Sequence, residues 1–329
     1  MKNFGWVGSR RVPPPLLLNR EKKNYLTDRH YTTCLSFRNV TIRLPFRGIL
    51  VKKRFLSAAD FHSLYECFLD AFSDYQISLQ MTEEQFEQRV QRDGVELELS
   101  AGAFDGERMI GFYMNGRGLW HDQETAYDAG TGVVPDHRRR GVAVELFDFM
   151  APRLKERGIK QYLLEVLTSN DRAVALYRKL GFEETRTLAV VRSNEAMKSL
   201  VDVEGVSIRR MNEPDWDVFC AYWDGEPSWQ NSMDAVERIR NQCEIVGAFV
   251  DEKCVGYGIV FKPSGILMQL AVAREFRRRG IGRSILASLS GDKILKTNNV
   301  DEELKGTLEF YKACGFEIVL RQFEMMKSL

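Results

Sequence analysis

The chain has 329 residues, 44% of them hydrophobic and 28% charged, a mixture that fits about two soluble globular domains and excludes disorder throughout. Its apolar stretches, such as Ile266 to Ala273, stop well short of the roughly 18 residues that span a bilayer, so no membrane role is expected. Net charge is +1, but residues 1–48 carry +8 while 49–200 and 201–329 carry −4 and −3; the mildly acidic bulk argues against a general affinity for nucleic acid outside the tail.

Residues 1–48 combine Pro13-Pro14-Pro15, Leu16-Leu17-Leu18 and scattered Arg and Lys, without helical or alternating period. They read as an unstructured basic arm. The apolar run is too short for a secretory signal, and basic composition alone points only weakly to organelle import. The favoured reading is a non-native extension, as from translation begun too early, because a well-patterned start follows at Ile49.

From there the pattern predicts a strand over 49–55, a helix entered at the N-cap Ser57, a hairpin over 97–113 and a strand over 125–134 that runs into an arginine-glycine turn and a helix. A strand over 161–167, a helix ending at the C-cap glycine Gly181 and a closing strand over 185–192 follow. The same order then recurs: strand 206–211, helix entered at Asn212, hairpin 245–261, strand 265–272, turn and helix, strand 293–296, helix ending at Gly315, closing strand 317–326. Residue identity supports the repeat. Ala101-Gly-Ala-Phe matches Val246-Gly-Ala-Phe, Arg138-Arg-Arg-Gly matches Arg277-Arg-Arg-Gly, and Leu176-Tyr-Arg-Lys-Leu-Gly-Phe matches Phe310-Tyr-Lys-Ala-Cys-Gly-Phe, at offsets shrinking through 145, 139 and 134. Two similar α/β domains are therefore expected, 49–195 and 196–329, joined near Ser193 to Glu204.

The six cysteines are scattered without Cys-x-x-Cys spacing, as in a reducing cytoplasm. The four histidines neither pair at helical spacing nor lie near a cysteine cluster, so no metal is assigned.

Three arginines at a helix start are electrostatically misplaced, because the exposed N–H groups there are already positive. Gly141 and Ala143, like Gly280 and Gly282, remove bulk where backbone must approach a ligand, and a helix N-terminus holds phosphate well. A solvated charge run is the plain alternative, but its recurrence in both copies favours an anion site, with a diphosphate as occupant. No P-loop motif, dinucleotide-binding glycine motif or nucleophile elbow is present, which removes support for nucleotide hydrolysis, a dinucleotide-binding fold and an α/β-hydrolase.

The turn resembles the pyrophosphate loop of the GNAT superfamily of acyl-CoA N-acyltransferases, Gln/Arg-x-x-Gly-x-Gly/Ala, which both Arg138-x-x-Gly141-x-Ala143 and Arg277-x-x-Gly280-x-Gly282 match. The segment from Leu164 to Phe182 resembles the closing motif of the ribosomal-protein N-terminal acetyltransferases in that superfamily. The resemblance covers nearly all of 49–329 as a tandem pair. It implies two tandem mixed, splayed β-sheets flanked by helices, each a seven-stranded sheet opened where acetyl-CoA inserts, in a cytoplasmic N-acetyltransferase. It further implies that backbone N–H groups near Val133 and Val134 polarise the thioester, and that N–H groups of Arg139, Arg140, Gly141, Val142 and Ala143 hold the diphosphate, supplemented by arginine side chains including Arg138. Asn170 orients the pantetheine arm. The second copy's counterparts are Val272, Arg277, Arg278, Arg279, Gly280, Ile281 and Gly282.

Attack by an amine on a thioester needs a base for the amine and an acid for the departing thiolate. Glu165 and Tyr177 are 12 residues apart, a spacing that matches the base and acid of the acetyltransferases they resemble. A tyrosine flanked by Leu176 and Leu180 also suits a core; a carboxylate amid Tyr162-Leu-Leu-Glu-Val-Leu is costly to bury without a partner. Asp128 is the rival base, with Glu165 preferred. In the second copy Tyr311 is present, but Asn299 stands 12 residues before it, so the first domain is expected to be catalytic and the second to bind CoA or act by another base. Trp216, Tyr222, Trp223 and Trp229 fall where the superfamily builds its acceptor pocket, though core packing explains at least two of them. The competing reading is a CoA-binding regulatory or interaction protein that has lost acyl transfer. The acceptor, a small-molecule amine or a protein N-terminus, and the oligomeric state stay open.

Overall fold

In the computed structural model, residues 51–197 and 202–329 are described; the expectations for 1–48 lie outside them. The first copy runs β1 (Lys52–Phe55), α1 (Phe61–Ala71), α2 (Glu83–Asp93), β2 (Ala101–Asp105), β3 (Arg108–Trp120), β4 (Gln123–Val133), α3 (Val142–Glu156), β5 (Gln161–Leu167), α4 (Asp171–Lys179) and β6 (Glu183–Ser193). The second runs β7 (Ser207–Met211), α5 (Trp216–Phe219), α6 (Met233–Arg238), β8 (Cys243–Val250), β9 (Lys253–Phe261), β10 (Ile266–Val272), α7 (Ile281–Ser290), β11 (Lys296–Asp301), α8 (Lys305–Ala313) and β12 (Phe316–Ser328). No helix of the described residues is long and apolar enough to cross a membrane.

Local chemistry sets most boundaries. Ser57 starts its helical segment by donating from N–H and hydroxyl to Asp60 Oδ2, both at 2.9 Å. Gly181 and Gly315 adopt φ of 86° and 81° just past α4 and α8, a left-handed turn that costs a glycine little. Three expectations need correction. Asp215, rather than Asn212, caps α5 by accepting from Val218 N–H at 3.3 Å. The strand expected over 293–296 begins at Lys296 and runs to Asp301. Helix α2, whose Thr82 and Gln85 form a reciprocal capping box, was not anticipated, because Phe86 is its one buried apolar residue.

The mixed, splayed sheets of the two copies are present as expected, but the way they join was not anticipated. All strands join one sheet in the order β1-β2-β3-β4-β5-β12-β6-β11-β10-β9-β8-β7. β12 inserts between β5 and β6, and β6 inserts between β12 and β11, so each copy's sheet is completed by the other copy's closing strand. Leu188 pairs Gln322 at the centre, flanked by Leu167 against Gln322 and Asp301 against Leu188; this register carries an approximate twofold.

Each half opens where two parallel strands part. β4 and β5 pair only from Thr125↔Gln161 to Tyr127↔Leu163, and β4 carries a bulge at Ala129. β10 and β11 pair only at Ile266↔Lys296, with a bulge at Met268. A bulge bends its strand, and beyond each one the chains diverge into a cleft.

Candidate active site

Beyond β4 the chain makes a short 3-10 turn at Pro135–His137 and reaches the arginine triplet. Arg139 and Gly141 take φ of 64° and 86°, and Arg278 and Gly280 take 64° and 90°. Left-handed residues interleaved with ordinary ones turn successive N–H groups into a concave nest. No side chain caps α3 or α7, so the first-turn N–H groups of Val142, Ala143, Ile281 and Gly282 are not covered by a cap. The cradle fits a diphosphate.

The first arginine of each triplet has another task. Arg138 donates to Val133 O at 3.0 Å, to Ala71 O at 2.8 Å and to both oxygens of Asp74 at 2.7 Å. Arg277 repeats this against Val272 O at 2.7 Å, Tyr222 O at 3.0 Å and Asp224 at 3.0 and 2.7 Å. Both guanidiniums clamp the turn to the loop after the first helical segment of their half, which leaves the exposed Arg139, Arg140 and Arg278 facing solvent at the nest. Arg279 donates to Glu275 O at 3.0 Å.

The amide expected at Val134 is also occupied: Val134 N–H donates to Ile110 O at 3.0 Å. Along an antiparallel edge successive amides alternate in direction, so the Val133 N–H points away from β3 into the β4–β5 cleft. In the second half Ala273 N–H is bonded to Val255 O at 2.9 Å, which turns Val272 N–H into the matching cleft.

A cavity of about 670 Å³ lies over the first cleft, and Glu165, Tyr177, Asp128 and Asn170 all line it. Tyr177 is buried in the core, and its hydroxyl donates to Asp128 Oδ2 at 3.2 Å. Asp128 also accepts from Gly130 N–H at 2.9 Å and Thr131 Oγ1 at 2.7 Å, yet burial still pushes its carboxyl up to about 6. Burial also raises the Tyr177 hydroxyl, with Asp128 adding to the effect. Asn170 caps α4 by accepting from Ala173 N–H at 3.2 Å and donates to Tyr75 Oη at 3.4 Å.

Glu165 accepts a short hydrogen bond from Tyr127 Oη and one from Asn299 Nδ2 at 3.3 Å. Burial pushes its carboxyl up to about 8, against the bond from Tyr127 and with Glu324 adding to the rise. Two supporting residues, Tyr127 and Gln230, were not anticipated, and Trp229, expected at the acceptor pocket or in the core, joins them. Tyr127 shows no signal beyond a strand position, Gln230 Nε2 donates to Tyr127 Oη at 3.0 Å, and Trp229 stacks on Tyr127 with centroids 5.0 Å apart. Asn299 did carry a signal: it occupies the second copy's position for Glu165, and the near-twofold brings the two side chains together.

A second cavity of about 790 Å³ joins Val272, Arg277, Arg278, Gly280, Ile281 and Gly282 to Tyr311. Asn299 lines it at the position of Glu165, while Leu267, at the position of Asp128, is fully buried in the second half's core. Of the four aromatics, Tyr222 and Trp223 line this cavity, Trp229 is buried in the first half's core, and Trp216 donates to Glu237 Oε1 at 2.8 Å.

A model of the acetyltransferase (GNAT) family matches residues 61–182, and a model of the acetyltransferase (GNAT) domain matches residues 241–318. The [ribosomal protein bS18]-alanine N-acetyltransferase of Escherichia coli K12 is 33% identical over 98 residues, 27% of this chain and 62% of that protein. Its Salmonella typhimurium counterpart is 38% identical over 73 residues, 22% of this chain and 45% of that one. The chain thus spans at most 62% of the length of these relatives. Among solved structures, a tandem GNAT protein of clavulanic acid biosynthesis superposes with TM-score 0.67 at 16% identity, over 84% of this chain and 98% of its own. A GCN5-related N-acetyltransferase from Sphaerobacter thermophilus gives 0.66 at 14%, over 84% and 95%; at such identities the likeness is one of fold. With both copies matched and the tandem fold shared, the chain belongs to the GNAT acetyltransferase family and carries two of its domains in series.

Proposed function

We propose that this chain moves an acetyl group from acetyl-CoA to a primary amine, using the domain within 49–195, while the domain within 196–329 binds CoA without performing the transfer. The reading rests above all on one cavity lined by Glu165, Asp128 and Tyr177 beside the amide-bearing edge of β4. Acetyl-CoA, when bound, supplies an activated acyl carbon and a thiolate leaving group. Backbone N–H groups from Arg139 to Ala143 would hold its diphosphate, with Arg139 and Arg140 adding charge, and Asn170 would flank the pantetheine arm.

Glu165 takes the proton of the acceptor ammonium, and its raised carboxyl makes it a stronger base than an exposed glutamate. Val133 N–H donates to the oxyanion that develops on the acyl oxygen. Tyr177, neutral because it is buried, gives its proton to the departing sulfur, and Asp128 orients its hydroxyl. In the second domain the nest and cleft recur without the carboxylates, which favours binding there without transfer. The acceptor is an amine of a small molecule or a protein N-terminus; the bS18-alanine acetyltransferases support the latter.

Glu165→Gln and Tyr177→Phe are each expected to lower kcat by about 10²-fold or more, with little change in acetyl-CoA affinity by calorimetry. Full turnover in both variants would overturn the assignment. CoA binding with no transfer to any amine would instead favour a regulatory protein.

A further inference from the structure

The cavity over Glu165 has a cationic end. Its floor there is formed by β6 and β11, where Arg192 and Lys296 are direct partners in antiparallel register, and both side chains line the cavity. Like charges in that arrangement repel. Lys296 N–H donates to Gly265 O at 3.2 Å, but neither the Lys296 ammonium nor the Arg192 guanidinium has a hydrogen bond or ion pair with any described residue. Arg89 and Arg92 of α2 line the same cavity. Arg89 donates to Ala129 O at 2.8 Å and Arg92 to Asp93 Oδ1 at 2.7 Å; Asp93 is fully buried and offsets one of these charges. Burial, then Arg92, Arg192 and Arg89, hold the Lys296 ammonium below the usual lysine range. Glu317 flanks Arg192 on its other side, but it accepts from Asn194 at 3.0 Å and lies outside the cavity lining. The two carboxyls that do line it are both held up by burial, so they offset these cations only in part.

Arg192 is exposed and Lys296 half-buried, so water solvates the pair in part; two like charges fixed in cross-strand register still repel, and an anion seated between them relieves that repulsion. We propose that the acceptor is an acid-bearing amine, whose carboxylate or phosphate is held between Lys296 and Arg192 while its amino group is presented to Glu165. This rests on the acetyl-transfer reading of the site. Lys296 comes from the second copy and Arg192 from the strand exchanged with it, so the second domain would complete acceptor recognition for the first.

The test uses the full chain with saturating acetyl-CoA and matched acceptors: amino acids against their carboxamides, and phosphoethanolamine against ethanolamine. The acid form is expected to show a KM lower by about tenfold or more, and this preference should collapse in both Lys296→Met and Arg192→Ala. Whether carboxylates or phosphates gain most identifies the acid. Equal use of acid and neutral amines would overturn the anion site while leaving acetyl transfer standing. If no amine turns over, acetyl transfer fails for this panel, and the melting temperature with CoA present decides the anion site. A rise with acid amines in the unmodified chain but in neither variant supports it, and no such rise overturns it.

Discussion

Glu165 lies in β5 directly opposite Glu324 of β12, and burial with this like charge holds its carboxyl up to about 8. The consequences for rate and stability have opposite signs. As a base Glu165 must be ionised, so kcat should rise with pH through about 8, and a pH–rate profile would show an ascending limb there that Glu165→Gln abolishes. For folding, an unfolded glutamate releases its proton near 4.3 while the native one keeps it to about 8. The native state therefore binds more protons across that window, and stability falls as pH rises through it; urea midpoints measured from pH 5 to 8 should decline in the unmodified chain and less steeply in Glu165→Gln. Glu324→Gln removes the like charge and should move the rate limb to lower pH. An unmoved limb would show that Glu324 does not set the base.

At the level of elements, the nest depends on backbone conformation more than on side-chain contact. A Cβ on Gly141 would meet nothing nearer than Glu145 at 3.9 Å, but its φ of 86° is strained for any other residue. Gly141→Ala is therefore expected to cost about 1–2 kcal/mol of left-handed strain and to weaken acetyl-CoA binding, read by thermal melting and calorimetry; unchanged binding would mean the nest does not hold the diphosphate. The glycines, arginines and flanking strands of this turn were legible because one-dimensional spacing encodes a turn. The roles within it were not: Arg138 carries the same charge as Arg139, and only the approach of Asp74 makes it a clamp. Likewise β11 was misplaced because Lys296-Thr-Asn-Asn-Val-Asp faces two cavities and bulges at Asn298 and Asn299, which erases the alternation that marks an ordinary strand. Glu165 and Tyr177 were legible as a spaced pair, whereas Tyr127 and Gln230 act through contacts made across the two copies.

For the whole molecule, the exchange of β6 and β12 was out of reach of the repeat itself, because alternation fixes which face a strand buries but not which neighbour it takes. The exchange ties the halves together at a charge pair whose acid is buried. Arg186 of β6 donates to both oxygens of Glu324 of β12, at 2.9 and 2.6 Å, and Glu324 is only 2% exposed. Thr185 adds a bond to Glu324 at 2.7 Å. Glu324→Ala leaves Arg186, whose side chain is 18% exposed, with Asp301 at 3.7 Å as its remaining acid, so the cost should fall at or below the low end for a broken buried pair, about 3 kcal/mol. Because neither copy can complete its sheet without the other's closing strand, the loss should be shared. Calorimetry of the unmodified chain is expected to give one transition rather than two, moved as a unit to lower temperature by Glu324→Ala and to higher temperature by CoA, whichever cleft CoA enters. Two separable transitions, only one of them responding to Glu324→Ala, would mean that the exchanged strands do not couple the copies.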